Sequence, residues 1–193
     1  MAEVNIKHFV VSKPLERLNG DGAFIYEQDE QIFICIFDGA GHGKGANKIT
    51  NIAIEYIKNN INQLLTELMV NVHNILRGTH GGVAILAKID SNKDKLSYVG
   101  IGNIFLRVFG KNTKREITQG GIIGYQIRTP KEKTIVIDEG DIVVFHTDGI
   151  TSHFNETDYP DINKGSAEKI AKNLLAKFGK TNDDATCIVL KIE

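Results

Sequence analysis

One stretch constrains this chain more than any other: the run Ile32-Phe33-Ile34-Cys35-Ile36-Phe37, which has no polar interruption, stops at Asp38-Gly39 and opens into Ala40-Gly41-His42-Gly43-Lys44-Gly45-Ala46. A half-exposed strand alternates apolar and polar residues, so an unbroken run predicts a strand covered on both faces. Such a strand needs one packed layer above it and another below. A carboxylate at its end, Asp38, stands where core gives way to solvent, and the glycines that follow allow positive φ and close approach of backbone to a ligand. Asp-Gly is also a frequent turn dipeptide, so the motif acquires meaning only from what accompanies it.

The theme recurs later. Ile142-Val143-Val144-Phe145 is a second apolar run, and it ends in His146-Thr147-Asp148-Gly149. Asp21 follows Gly20 just ahead of a short strand over 23–26, and Asp183 stands just ahead of the last strand, 187–192. Further strands are expected over 5–11, 83–89, 95–101, 104–109 and 133–137, joined by turns at 29–30, 90–94, 110–113 and 138–141. The hairpin formed by 23–26 and 32–37 would place Asp21 and Asp38 on one rim. The polar segment 154–164 reads as loop.

Helical periodicity appears in two places. From Ala46 onward Ile49, Ala53, Tyr56, Ile57, Ile61 and Leu64 share one face; Leu65, Leu68, Met69, Val72, Ile75 and Leu76 form a second stripe after a break near 59–62. Near the end, Ser166 is an N-cap for a helix whose Ala167, Ile170, Ala171, Leu174, Leu175 and Phe178 form one face, with Gly179 closing it. These stripes read as core. Strands dominate and tight hairpins imply antiparallel pairing, so the fold class is α+β: two sheets packed face to face with helices outside.

Composition narrows the function. With 193 residues the chain suits one domain spanning 1–193, and it can bury a full core without staples. The formal charge of −1 and a pI near 6.6 leave no footprint for nucleic acid or an acidic membrane. Cys35 and Cys187 lie in apolar runs without zinc-finger spacing, which implies free core thiols in a reducing compartment. The N-terminus shows no leader and no stretch is long enough to span a bilayer. The expectation is a cytoplasmic protein with no nucleic-acid or membrane partner.

Four carboxylates gathered at one rim would repel each other unless cations stood between them. Oxygen donors without paired histidines or cysteines favour hard Mg²⁺ or Mn²⁺ over zinc. Two such ions could share a carboxylate and polarise a phosphoryl group, which makes phosphate-ester hydrolysis the natural reaction class. A nucleotide-binding P-loop is excluded, because Gly45 stands where Ser or Thr should follow Gly43-Lys44 and Asp38 occupies the position of the first glycine. A GHKL-type kinase box is also out, since Asp38-Gly39-Ala40-Gly41 is one residue out of register.

Four blocks in order carry a resemblance: Gly20-Asp21; Phe37-Asp38-Gly39-Ala40-Gly41-His42-Gly43-Lys44-Gly45-Ala46; Gly140-Asp141 through His146-Thr147-Asp148-Gly149-Ile150; and Asp183-Asp184-Ala185-Thr186. In these the chain resembles the metal-dependent PPM (type 2C) serine/threonine phosphatases, in particular their SpoIIE-like branch. By size it is similar to the stand-alone phosphatases of the stressosome pathway. The resemblance implies an αββα sandwich with two Mn²⁺ or Mg²⁺ ions. In that reading Asp38 bridges both ions, the Gly39 carbonyl binds one, Asp148 and Asp183 complete the other, and Asp21 acts near the second metal. A metal-bridging hydroxide would be the nucleophile, with no covalent intermediate. The implied partners are phosphorylated serine/threonine proteins, namely STAS-domain stressosome proteins.

Departures from the pattern are informative. Arg17, the candidate phosphate-binding residue, stands one residue nearer Asp21 than the family's arginine. Ser152 occupies a place where the branch often has an acidic residue. His42 has two readings, as a proton donor to the leaving serine oxygen or as a residue that caps or orients its loop. His80 and Gly78-Thr79-His80-Gly81-Gly82 read as a structural turn, and Asn103 as a turn residue. The rival functional class is a phosphatase-like binding module that has kept the fold and lost catalysis.

Overall fold

The computed structural model describes residues 5–193 except 29, 91–93, 112, 153, 156, 158–159 and 161–163. The tips of three expected turns (Asp29, 91–93 and Asn112) and much of the 154–164 segment therefore lie outside the described residues.

Among the described residues, twelve strands and three helices follow one another as β1 (Ile6–Lys13), β2 (Asp21–Gln28), β3 (Gln31–Gly39), α1 (Gly43–Lys58), α2 (Leu65–Ile75), β4 (Gly82–Asp90), β5 (Lys95–Ile101), β6 (Phe105–Phe109), β7 (Lys114–Glu116), β8 (Gly121–Ile122), β9 (Gln126–Ile127), β10 (Lys133–Val136), β11 (Ile142–His146), α3 (Ala167–Phe178) and β12 (Ala185–Ile192). One antiparallel sheet has the order β1-β12-β11-β6-β7, a second has β10-β5-β4-β3-β2, and β8-β9 is a separate small hairpin.

The unbroken apolar run explains the layering. Along β3 successive side chains point to opposite faces, so Ile34 and Ile36 enter the core between the sheets while Phe33, Cys35 and Phe37 enter a second core beneath α1 and α2. A third core, under α3, takes Val144, Cys187 and Val189 from the outer face of the other sheet. The result is the expected αββα sandwich. Each fully buried Ile or Phe contributes roughly 1.5–3 kcal/mol of transfer free energy, so all three cores depend on strands that can be apolar on both sides. Cys35 and Cys187 lie in different layers as free thiols, and burial pushes both thiols up.

Element boundaries shift in ways with clear causes. Helix α1 starts at Gly43, earlier than the apolar stripe, because the glycine-rich stretch already turns helical. It ends at Lys58; Ile61 falls in the connection, and Leu64 is exposed ahead of α2. Ile75, expected in the buried stripe, is partly exposed, whereas Leu76 just past the helix end is fully buried. Ser166 caps α3 by accepting from the Lys169 N–H. Gly179 closes that helix with φ −63°, so its role is not a left-handed turn. A Cβ there would stand 2.4 Å from the Leu175 carbonyl oxygen, which explains the glycine. No described helix is long and apolar enough to cross a membrane.

Candidate active site

Asp38 is held from both sides. In the ladders it faces Asp21 on β2 and Val83 on β4, so the expected shared rim of the hairpin is a direct cross-strand pair. The backbone beyond it is equally fixed: the Gly39 N–H donates to the Gly20 carbonyl at 3.1 Å and the Ala40 N–H to Gly81 at 2.9 Å. The Thr50 hydroxyl of α1 also donates to the Gly20 carbonyl. A Cβ on Gly39 would lie 2.6 Å from Thr50 Oγ1 and 2.7 Å from the Ala46 carbonyl oxygen, so only glycine lets α1 pack this close to the strand end.

Asp148 arrives from the other sheet. Strand β11 ends at His146; Thr147 then pairs with Thr186, its N–H donating to the Thr186 carbonyl at 3.1 Å, and a turn closes as the Ile150 N–H donates to Thr147 at 3.2 Å. The Asp148 carboxylate accepts from Asn103 Nδ2 at 2.5 Å. Asp183, half-buried, comes from the turn ahead of β12. Asp38, Asp148, Asp183, Asn103, His42 and Ile122 are among the residues lining one cleft of about 370 Å³.

The electrostatics follow from this crowding. Burial above all, then the charges of Asp21, Asp148, Asp183 and Asp184, push the Asp38 carboxyl up to about 8. Burial likewise raises Asp21 to about 7, against the opposing hydrogen bond from Thr147. Asp183 is raised too, by burial and then by Asp148. Several carboxyls titrating high in one place are the signature of negative charge awaiting a cation.

The other sequence candidates are placed as follows. Asp21 is buried beside Asp38, and its Oδ2 accepts from Thr147 Oγ1 at 2.8 Å. Arg17 is exposed and is not among the residues lining the cleft. His42 occupies the N-cap position of α1 but makes no side-chain capping bond. Its Nδ1 instead meets Glu16 Oε1 at 2.6 Å. A carboxylate oxygen accepts, so Nδ1 carries the proton of that bond and Nε2 is the nitrogen left for other work. His80 lines a shallow depression next door together with His42. Thr79 behaves as a turn residue, its hydroxyl donating to the Leu76 carbonyl at 2.7 Å and accepting from the Gly81 N–H at 3.0 Å.

Residue types alone did not reveal several supports. Asn103, read as a turn residue, is the hydrogen-bond donor to Asp148. Asp184, adjacent to Asp183, is buried and accepts from the Leu15 N–H at 2.7 Å and the Gly20 N–H at 3.0 Å, tying the segment ahead of β2 to the start of β12. Glu16 gave no signal, because its partner His42 is 26 positions away.

Among the described residues, no three Asp, Glu, His or Cys side chains close on a point as a preformed cage. The anionic donors gathered at the cleft are carboxylates, with one imidazole, His42, and one side-chain amide, Asn103, beside them. That set fits a hard ion that keeps several waters and takes one or two carboxylates, and it does not fit zinc.

Residues 28–193 match the family model for Stage II sporulation protein E, SpoIIE. The chain belongs to the SpoIIE family. The matched span includes Asp38, Gly39, His42, Asp148 and Asp183, whereas Arg17 and Asp21 precede it. Phosphoserine phosphatase RsbX of Bacillus subtilis (strain 168) is 23% identical over 189 residues, covering 94% of this chain and 91% of the relative. A crystal structure of RsbX in complex with magnesium superposes with a TM-score of 0.84 at 21% identity, over all of both chains. A chain from work on the bacterial stressosome as a modular system adapted to control secondary messenger signaling superposes with a TM-score of 0.88 at 25% identity, covering 97% of this chain and 100% of that one. The SpoIIE-family chain thus shares its fold with these structures across nearly its whole length.

Proposed function

We propose that this SpoIIE-family protein is a metal-dependent phosphoprotein phosphatase acting on phosphoserine and phosphothreonine. The observation that carries the reading is the convergence of Asp38, Asp148 and Asp183 on one cleft, with the Asp38 carboxyl pushed up to about 8 by burial and by its neighbours. A binding surface has no need to confine that much like charge, whereas a site that takes up cations does.

Asp38 would be shared between two Mn²⁺ or Mg²⁺ ions, the Gly39 carbonyl would join one of them, and Asp148 and Asp183 the other, with Asp21 supporting from beside Asp38. When bound, such ions supply Lewis-acid polarisation of the phosphoryl oxygens and a water that ionises near neutral pH. The chain's own residues do the rest. The oxygen of water bonds to phosphorus as the water gives up a proton to solvent, the bond from phosphorus to the serine oxygen breaks, and that oxygen takes a proton. We assign that proton transfer to His42, because its Nδ1 bond to Glu16 leaves Nε2 as the nitrogen that could donate. Arg17, exposed and not among the residues lining the cleft, is given no phosphate contact in this scheme.

The likeness to a phosphoserine phosphatase and to a stressosome chain supports phosphoproteins of a stressosome as partners; we take these to be STAS-domain proteins, in the cytoplasm, with residues 1–193 acting as one catalytic domain. The test is phosphate release from a phosphoserine protein with Mn²⁺, with Mg²⁺ and with chelator, alongside Asp38→Asn. Turnover that requires metal and disappears in the variant while the fold persists is expected. Metal-independent turnover would overturn the two-ion reading, and no turnover on phosphorylated STAS-domain proteins would leave the inactive binding module as the better description.

A further inference from the structure

The β8-β9 hairpin stands out because its apolar residues divide into two sets. Ile123 is fully buried and Ile127 packs against the core beneath the helices, whereas Ile122 is 42% and Tyr125 77% exposed. Ile122 lines the carboxylate cleft. An isolated pair of two-residue strands has little stability of its own, so something must hold it. Three contacts do. Ile123 and Gly82 exchange backbone hydrogen bonds at 2.8 and 3.0 Å. The approach is so close that a Cβ on Gly81 would lie 2.0 Å from the Ile123 carbonyl oxygen. Gly124, at φ +92°, turns the hairpin against the end of α2, where a Cβ would stand 2.8 Å from the Leu76 carbonyl oxygen.

The third contact is a side chain. His73 of α2 is buried, and its Nδ1 accepts from the Gly124 N–H at 3.0 Å. That bond requires an unprotonated Nδ1, and burial, with Arg77 nearby, lowers the pKa of His73 in the direction that keeps it neutral. A buried histidine spent on one turn N–H indicates that the position of this turn matters.

We infer that the β8-β9 hairpin is the wall on which the polypeptide flanking the phosphorylated residue rests, with Ile122 and Tyr125 as its contact residues and His73 as the positioning residue that sets it at the cleft. This rests on the phosphatase reading above and adds to it the part of the substrate beyond the phosphate. The occupant follows from continuity: Ile122 belongs at once to the carboxylate cleft and to the exposed apolar face, so a chain whose phosphoserine reaches Asp38 passes over Ile122 and Tyr125. An aromatic ring presented to solvent beside an apolar neighbour is the kind of group that anchors polypeptide. A small ester fills only the carboxylate end.

The experiment compares kcat and KM on phosphorylated casein and on p-nitrophenyl phosphate for the full chain with Mn²⁺, for Tyr125→Ala, for His73→Leu and for His73→Asn, whose side-chain oxygen can accept as Nδ1 does. Tyr125→Ala and His73→Leu are each expected to lower kcat/KM on casein about tenfold more than on the ester, chiefly through KM. His73→Asn is expected to recover most of that ratio. Equal losses on the two substrates, or an unchanged ratio for Tyr125→Ala, which lies at an exposed position and leaves the core intact, overturn the inference. A wild-type chain inactive on both substrates overturns the phosphatase reading itself, a result distinct from an active wild type with an unchanged ratio.

Discussion

The two Asp-Gly strand ends look alike in sequence and behave differently in space. Asp38 remains inside its ladder, with a partner strand on each side, and its following glycine is locked against α1. Asp148 lies beyond the end of β11 in a turn, and its carboxylate accepts from the Asn103 side chain. The first end is rigid and desolvated, so its carboxyl is pushed up strongly. The second is fixed through its neighbours instead: the Gly149 carbonyl accepts from the Lys180 N–H at 2.7 Å, and a Cβ on Gly149 would lie 1.8 Å from the Asp184 carbonyl oxygen. In the proposed site, a carboxylate held within its ladder and a second one steadied by an amide would divide the labour of taking a cation and then a phosphate, because pre-organisation is needed most where two interactions share one group.

The largest effect that would test this contrast is loss of the rigid end. Asp38→Asn should lower kcat on the order of 10³-fold, and Asp148→Asn should lower it less and respond more to raised metal concentration. Equal losses with equal metal dependence would erase the distinction. Next comes His42, which follows the rigid end: His42→Ala should lower turnover of phosphoserine protein on the order of 10²-fold while sparing p-nitrophenyl phosphate, whose leaving group needs no proton. A similar loss on both would make His42 a loop residue. Asn103→Ala should cost about tenfold, read as weaker apparent metal affinity, by freeing Asp148 alone.

The smallest effect concerns stability and pH. Asp38 and Asp21 titrate in the folded chain near 8 and 7, above the ordinary carboxylate value of 3.8. The native state therefore binds more protons than the unfolded state between about 4 and about 8, so metal-free stability should fall as pH rises through that window. Thermal melts in chelator should show this, Asp38→Asn should flatten the slope, and Mn²⁺ should raise Tm more at pH 8 than at pH 5. A metal-free Tm that rises with pH across the window would contradict the electrostatic account.

Much of this was legible in the residues. Runs such as Ile32–Phe37 and Ile142–Phe145 demand burial on two faces whatever surrounds them, and that demand, with three helical stripes, already implies a four-layer sandwich. Asp21 and Asp38 could be placed on one rim because a hairpin is local and its register follows from its turn. Sequence reasoning points to Asp183 rather than its identical neighbour, and Asp183 lines the cleft while Asp184 turns inward to the Leu15 and Gly20 N–H groups.

The sequence by itself determined the layer order, the strand ends that carry carboxylates and the hard-cation character of the donors, because these depend on local periodicity and on residue chemistry. Only the tertiary structure decided which residues serve those carboxylates. Asn103 reaches Asp148 across 45 positions, His73 reaches Gly124 across 51, and Thr147 reaches Asp21 across 126. A single hydrogen bond between distant positions leaves no periodic trace in the chain, since its geometry exists only after the sheets have packed.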